Sequence, residues 1–335
     1  MESPKKVDIH CHLYPPAYLE KLQELDRSYT ITPDSEGRPA LWREGSRLVT
    51  FNSKMTSIEE HIVDMNRLGV DVQVLSVSIP NVYLANPDDA LKLAEMANDY
   101  YVQISERYSG RIMGFASVPL PHVEHAISEL NRALGSERLN GVILGDNING
   151  RPLDSPEFRP FFKRANELDA TIFLHPMTPP AVERLNEYSL APLVGFIFDT
   201  TIAVERLVFS GMLDMFPRIK FILPHVGGAA PYLTGRWTIG WEAYEECRRF
   251  APQPPISYLR RMYYDVVSLH QPTIRCAYDT VGPGKLLLGS DYPHVIGDVS
   301  RTIGSINHMD ISSADKEAIL GANALGILNN VKAYA

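Results

Sequence analysis

The chain has 335 residues, 45% hydrophobic and 21% charged, the balance of a folded globular protein and not of a disordered one. Its 32 basic and 40 acidic residues give a net charge of -8, which argues against a nucleic-acid partner. No apolar run reaches the roughly 20 residues that a membrane span needs, and Met1–Lys6 has no apolar stretch of signal-peptide type.

Cys11, Cys247 and Cys276 form no Cys-x-x-Cys pair, so reduced thiols in a cytoplasmic protein are expected. In chain order the first element is an apolar strand, Val7–His12, ending in His10-Cys11-His12. Strand side chains alternate, so the two imidazoles share one face and can share one metal ion, while Cys11 points away as a buried thiol.

Further strand-type runs are Val70–Ser78, Arg111–Val118, Asn140–Leu144, Thr171–His175, Lys220–His225, Met262–Val267 and Leu286–Ser290. Helical patterns lie between them at Ser57–Leu68, Asp88–Tyr108, Val123–Leu134, Ser155–Leu168, Ile202–Phe216 and Pro231–Phe250. Ser57 and Ser155 each precede acidic residues in a first turn, a helix-start signature. Strands alternating with helices predict parallel βαβ units closed into a (β/α)8 TIM barrel, taken as a single domain over 1–335. The other architecture of this kind, an open doubly wound sheet, lacks its glycine-rich loop here.

Residues 21–55 interrupt the alternation with Tyr29–Thr32, Ala40–Arg43 and Arg47–Phe51, a small β-insertion after the first strand. Insertions after a barrel strand sit over the catalytic face, so it is a candidate lid or recognition element, with a plain hairpin as the alternative.

Barrel active sites gather at the C-terminal strand ends. His10 and His12 end the first strand, His175 the fifth, His225 the sixth, and Asp291 follows the eighth, which neighbours the first on closure. Three histidines and an aspartate suit one divalent ion, Zn²⁺ first, with a position left open for chemistry. Asp146 stands where a bridging lysine would end the fourth strand in a two-metal site, so one metal is expected. His225, followed by the small residues Gly227-Gly228-Ala229, is assigned as the acid–base group.

Several segments together resemble the amidohydrolase superfamily: Asp8-Ile9-His10-Cys11-His12, Phe173-Leu174-His175-Pro176, Leu193-Val194-Gly195 to Thr201, His225-Val226-Gly227-Gly228 to Arg236, and Gly289-Ser290-Asp291-Tyr292-Pro293. Within it, they are similar to the amidohydrolase 2 group typified by the aminocarboxymuconate-semialdehyde decarboxylases. The resemblance spans essentially the whole chain.

It implies zinc (or another divalent ion such as manganese) on His10, His12, His175 and Asp291. It also implies a metal-bound water that protonates the carboxylate-bearing carbon with help from His225. It further implies a homodimer or higher homo-oligomer in which Arg236 reaches a neighbour's site to grip a small carboxylate substrate with its bidentate fork. Arg43 fits a carboxylate-binding position of the insertion. Val49 and Asn52 stand where the group has arginines, with Arg47 and Lys54 nearby, and Pro192 replaces a pocket tryptophan.

Retained metal chemistry on a changed substrate is the expectation. The activity expected first is decarboxylation of a small carboxylated aromatic or unsaturated acid; a lactonase or amidohydrolase and a hydratase need the same groups. A non-catalytic binding barrel would be favoured by a lost ligand, and none is lost. Asp199, His270 and His294 are left without a role.

Overall fold

In this computed structural model, residues 5–43, 46–135, 139–177, 179, 184–185 and 187–330 are described. Eight barrel strands follow one another around a closed parallel sheet: β1 (Val7–His12), β5 (Val72–Ser76), an interrupted third strand, β8 (Val142–Gly145), β11 (Thr171–His175), β12 (Lys220–Leu223), β13 (Tyr263–Asp265) and β14 (Leu286–Leu287). The third strand is split into β6 (Ile112–Gly114) and β7 (Ala116–Ser117), bridged by Phe115, whose amide donates to Leu75 at 2.9 Å, and a short antiparallel pair, β9 (Asn147–Ile148) and β10 (Arg151–Pro152), follows β8. Closure joins last to first: Ile9 N–H donates to Leu288 at 3.0 Å and His12 N–H to the Tyr292 carbonyl at 2.8 Å. The expected (β/α)8 barrel is the fold observed.

The strands are shorter than the apolar runs that announced them, because the chain curls away from the sheet at the rim. β14 stops at Leu287 and not Ser290, and β12 at Leu223 and not His225. The barrel interior is filled by residues such as Val7, Ile9, Val74, Phe115, Phe173 and Ile222, a packed apolar layer beneath the site.

β1 departs from strict alternation. Its register with β5 shifts between Asp8 and Cys11, so Ile9 joins the interior layer while Cys11 packs outside with Leu75 and Tyr101. His10 still turns inward, its ring 4.9 Å from Phe173. A bulge beside a functional residue re-aims side chains in this way.

Helices cover the outside. Ser57 caps Ile58–Leu68 by accepting from Glu60 N–H, and Gly69, at φ 67, ends it in the left-handed region that glycine adopts freely. The expected helix Ile202–Phe216 instead begins at Phe196, ends at Phe209, and restarts as Met212–Met215 after Gly211 at φ 77. The pattern Pro231–Phe250 is likewise two helices, Ala230–Ala243 and Glu245–Arg248.

The insertion is a helix, Tyr18–Leu25, followed by a three-stranded antiparallel sheet of β2 (Tyr29–Pro33), β3 (Pro39–Arg43) and β4 (Ser46–Thr50). Leu41 and Val49 pack with Tyr14 and Tyr18 at its base, and Asn52 Nδ2 donates to the Pro293 carbonyl at 2.8 Å. That contact ties the insertion to the loop after Asp291, on the rim where the predicted site lies. No helix among the described residues is long and apolar enough to cross a membrane.

Candidate metal centre and active site

Four groups from two strand ends, β1 and β11, and the loop after β14 converge. One ligand atom each from His10, His12, His175 and Asp291 lies within 4.8 Å of the others, and all four residues are buried. His10 Nε2 and His12 Nε2 are 3.0 Å apart, and Asp291 Oδ1 is 3.3 Å from each.

The other ring nitrogen of each histidine is already engaged. His10 Nδ1 donates to Asp265 Oδ2 at 2.6 Å, His12 Nδ1 meets Ser76 Oγ at 3.2 Å, and His175 Nδ1 donates to the Pro176 carbonyl at 2.9 Å. With Nδ1 protonated, each Nε2 presents a lone pair toward the same point. Asp291 Oδ1 is buried there without a well-formed hydrogen bond. Three lone pairs and a carboxylate oxygen facing one another repel unless a cation sits between them, so the residues fit a divalent ion.

The electrostatics agree with that fit. Burial drives His12 down to about 3 and His175 well below the ordinary imidazole range. Burial also opposes charge on His10, but hydrogen bonds to Asp265 and Asp291 outweigh it and raise the group to about 10. Burial works against ionised Asp291 too, yet His294, His10 and His12 hold it well below the carboxylate range. Without a cation the cluster therefore pairs an anionic Asp291 with a protonated His10 beside neutral His12 and His175, and a bound ion would take the place of that proton.

His225 stands beside these four. Its Nε2 is 3.9 Å from Asp291 Oδ2, its ring centroid 5.3 Å from that of His10, and its Nδ1 is buried without a partner. It is held in a turn and not at a strand end: His225 and Val226 take φ of 52° and 61°. Left-handed backbone at non-glycine residues costs roughly 1–3 kcal/mol each and persists where the surroundings enforce it. Asp291 shares the conformation, at φ 59. Gly227 and Gly228 complete the turn, and a Cβ on Gly227 would lie 2.7 Å from the Tyr264 ring.

The remaining sequence candidates are dispersed. Arg43 stacks 4.9 Å over Tyr29 with its Nε buried and unpartnered, whereas Arg47 reaches Asp34 Oδ2 at 3.4 Å inside the insertion. Lys54 pairs with Asp64 at 2.6 Å, and Asn52 caps the turn Ser53–Met55. Arg236 is exposed on the helix Ala230–Ala243. His294 lies at the site, its ring 5.0 Å from His12 and its Nε2 2.9 Å from Ser78 Oγ. His270 does not; it is exposed and meets Thr273 Oγ1 at 3.1 Å.

Asp199 is buried beside the fourth strand end. Asn147 Nδ2 donates to its two oxygens at 3.1 and 3.0 Å, and burial raises its carboxyl to about 6. Burial and the Asp199 charge raise Asp146 as well.

Sequence reasoning missed Asp265, Ser76 and the pairing of Asp8 with Ser290 behind the site (Oγ to Oδ2, 2.5 Å). The one available signal for Asp265 was a lone carboxylate in the apolar run Met262–Val267.

With this geometry in view, the comparison with known proteins is decisive. The amidohydrolase family model matches residues 7–329. The chain belongs to that family. It is 30% identical over 329 residues to a 2-amino-3-carboxymuconate-6-semialdehyde decarboxylase of Dictyostelium discoideum, covering 96% of this chain and 91% of the relative. It is 26% identical to a 6-methylsalicylic acid decarboxylase of Penicillium expansum, covering 98% and 97%. Among solved structures, the apo form of Metarhizium anisopliae IDCase superposes with a TM-score of 0.88 at 25% identity, over 99% of this chain and 98% of that one.

Proposed function

We propose that this amidohydrolase is a metal-dependent decarboxylase, a carboxy-lyase acting on a small carboxylated aromatic or unsaturated acid. The observation that carries the reading is the convergence of His10, His12, His175 and Asp291, with His225 3.9 Å from the aspartate. The activities named for the two sequence relatives support it.

His10, His12, His175 and Asp291 would hold the ion; zinc suits the nitrogen-rich donor set, with manganese as the alternative. When bound, it supplies Lewis acidity and lowers the pKa of a water ligand. His225 holds the proton at Nε2 and delivers it toward the carbon that bears the carboxylate. The carbon–carbon bond then breaks, its electron pair stays with the ring or conjugated chain, and carbon dioxide leaves with hydrogen in its place. Burial of the four ligands shields them from bulk solvent.

Arg43, Arg47 and Arg236 are the substrate-binding arginines in this reading. Arg47 would have to leave Asp34 to serve. Arg236 faces outward between Tyr232, 81% exposed, and Ile239, 66% exposed, and the helix Phe196–Phe209, which touches this helix, exposes Phe198 and Ile202. An apolar surface of this kind supports a homodimer in which Arg236 serves the neighbouring subunit's site. We take residues 1–335 as one catalytic domain, and the three free thiols support a cytoplasmic setting.

The test is a substrate screen of carboxylated catechols, resorcylates, muconates and lactones, followed by ultraviolet absorbance and by trapping of carbon dioxide. Release of carbon dioxide in step with substrate loss is expected. Products heavier than substrate by one water, with no gas evolved, would replace decarboxylation by hydrolysis or hydration.

A further inference from the structure

Asp265 touches both halves of the site through one carboxylate. It lies at the end of β13 and is completely buried. Oδ2 accepts from His10 Nδ1 at 2.6 Å. Oδ1 accepts from two backbone amides, Val226 at 3.1 Å and Val267 at 3.0 Å. The first bond commits the His10 proton to Nδ1, so that Nε2 faces His12 and Asp291 with its lone pair. The second pins the amide next to His225, in the turn where His225 and Val226 both hold left-handed backbone.

The surroundings leave Asp265 little freedom. Gly289, on the neighbouring strand end, has no side chain where a Cβ would stand 2.8 Å from Asp265 Cβ and 2.9 Å from His10 Cβ. The same position therefore requires both close approach and the absence of a side chain between the carboxylate and the imidazole.

We infer that Asp265 is a positioning residue that sets the donor tautomer of His10 and, through the Val226 amide, the placement of His225. It couples metal affinity to acid–base geometry, and the His10 half rests on the metal-site reading proposed above. Outer partners of metal-bound histidines act by fixing tautomer and ring orientation, and losing one typically lowers metal affinity by about 10–100-fold.

Two variants of the full chain separate the two bonds. Asp265→Asn keeps an amide oxygen for Val226 and Val267 but offers His10 no anionic acceptor. Asp265→Ala removes both. Zinc affinity, read by competition with a chelating dye, is expected to fall about 10–100-fold in both variants. Hydrogen exchange at the Val226 and Val267 amides is expected to stay slow in Asp265→Asn and to accelerate in Asp265→Ala. A merely structural role would lower the melting temperature of both without moving zinc affinity.

Wild-type zinc affinity in folded Asp265→Asn would overturn the His10 half, and unchanged exchange in Asp265→Ala would overturn the His225 half. If neither variant folds, the nitrogen-15 spectrum of histidine-labelled, zinc-loaded wild type decides: a proton on His10 Nδ1 supports the inference and its absence refutes it. Wild type that binds no zinc would instead sink the metal-site reading, leaving the exchange measurement on the His225 half intact.

Discussion

Replacing Gly289 by alanine probes the crowding on which the His10–Asp265 contact depends. Gly289 is not in the left-handed region, so the backbone itself accepts alanine and only packing decides the outcome. The new Cβ would meet two other Cβ atoms, 2.8 Å away on Asp265 and 2.9 Å away on His10, both on buried residues of the barrel wall. Neither can swing aside as the end of a flexible side chain could. Restoring ordinary contact requires movements of about half an ångström on each side.

Such a shift stretches the 2.6 Å His10–Asp265 bond toward or beyond the ordinary range. Overpacking of this kind costs about 1–3 kcal/mol, offset by about 0.4–1 kcal/mol from the stiffer unfolded chain. For a chain of this size a net cost of about 1–2 kcal/mol lowers the melting temperature by about 1–3 °C. Zinc affinity should fall by roughly tenfold at the same time, the low end for a disturbed outer partner.

The assay pairs calorimetric melting of metal-free protein with zinc competition. Gly304→Ala is the control, because nothing lies within 4 Å of a Cβ there and the residue sits inside the helix Val299–Asn307. That variant should be neutral or gain up to about 1 kcal/mol. If Gly289→Ala melts and binds zinc like Gly304→Ala, the crowding argument is wrong.

His225→Asn should retain its full complement of metal, by elemental analysis, while turnover falls by about 10²–10⁴-fold; undiminished turnover would remove His225 from proton transfer. Asp199 gives a pH signature. Burial raises its folded pKa to about 6, above the ordinary value of 3.8, so the native state holds the extra proton. Its stabilising contribution is complete below about 3.8 and is lost as pH rises through about 6. Asp199→Asn should therefore flatten the decline in melting temperature between pH 4 and about 7, and an unchanged decline would assign that slope to other carboxylates.

The fold and the convergence of the metal-site residues were legible because both are written locally. Parallel barrel strands are buried on two sides and read as apolar runs, and each ligand stands where such a run ends. His10 and His12 signal themselves at a spacing of two, and Asp291 needed only the closure of last strand on first. What the local pattern could not show was the bulge at Ile9–His10, since a register shift leaves no mark on the apolar periodicity. Nor could it show that the sixth strand ends at Leu223 and leaves His225 in a strained turn.

Roles that depend on pairing across the chain were the illegible part. Asp265 lies 255 residues from His10, and only the barrel's closure makes them neighbours. The basic residues of the insertion show the same limit from the other side. Arg47 and Lys54 read as available cations, yet Asp34 holds Arg47 together with Arg38, and Asp64 holds the lysine. Asn52 bonds to the Pro293 carbonyl. The insertion thus uses its polar groups to fasten itself to the barrel and to its own turns. Arg43 differs from these cations, with a buried Nε that no side chain among the described residues satisfies. A buried guanidinium N–H without an acceptor is costly unless a ligand supplies one, so within the proposed reading Arg43 is the insertion's best-placed group for a substrate carboxylate.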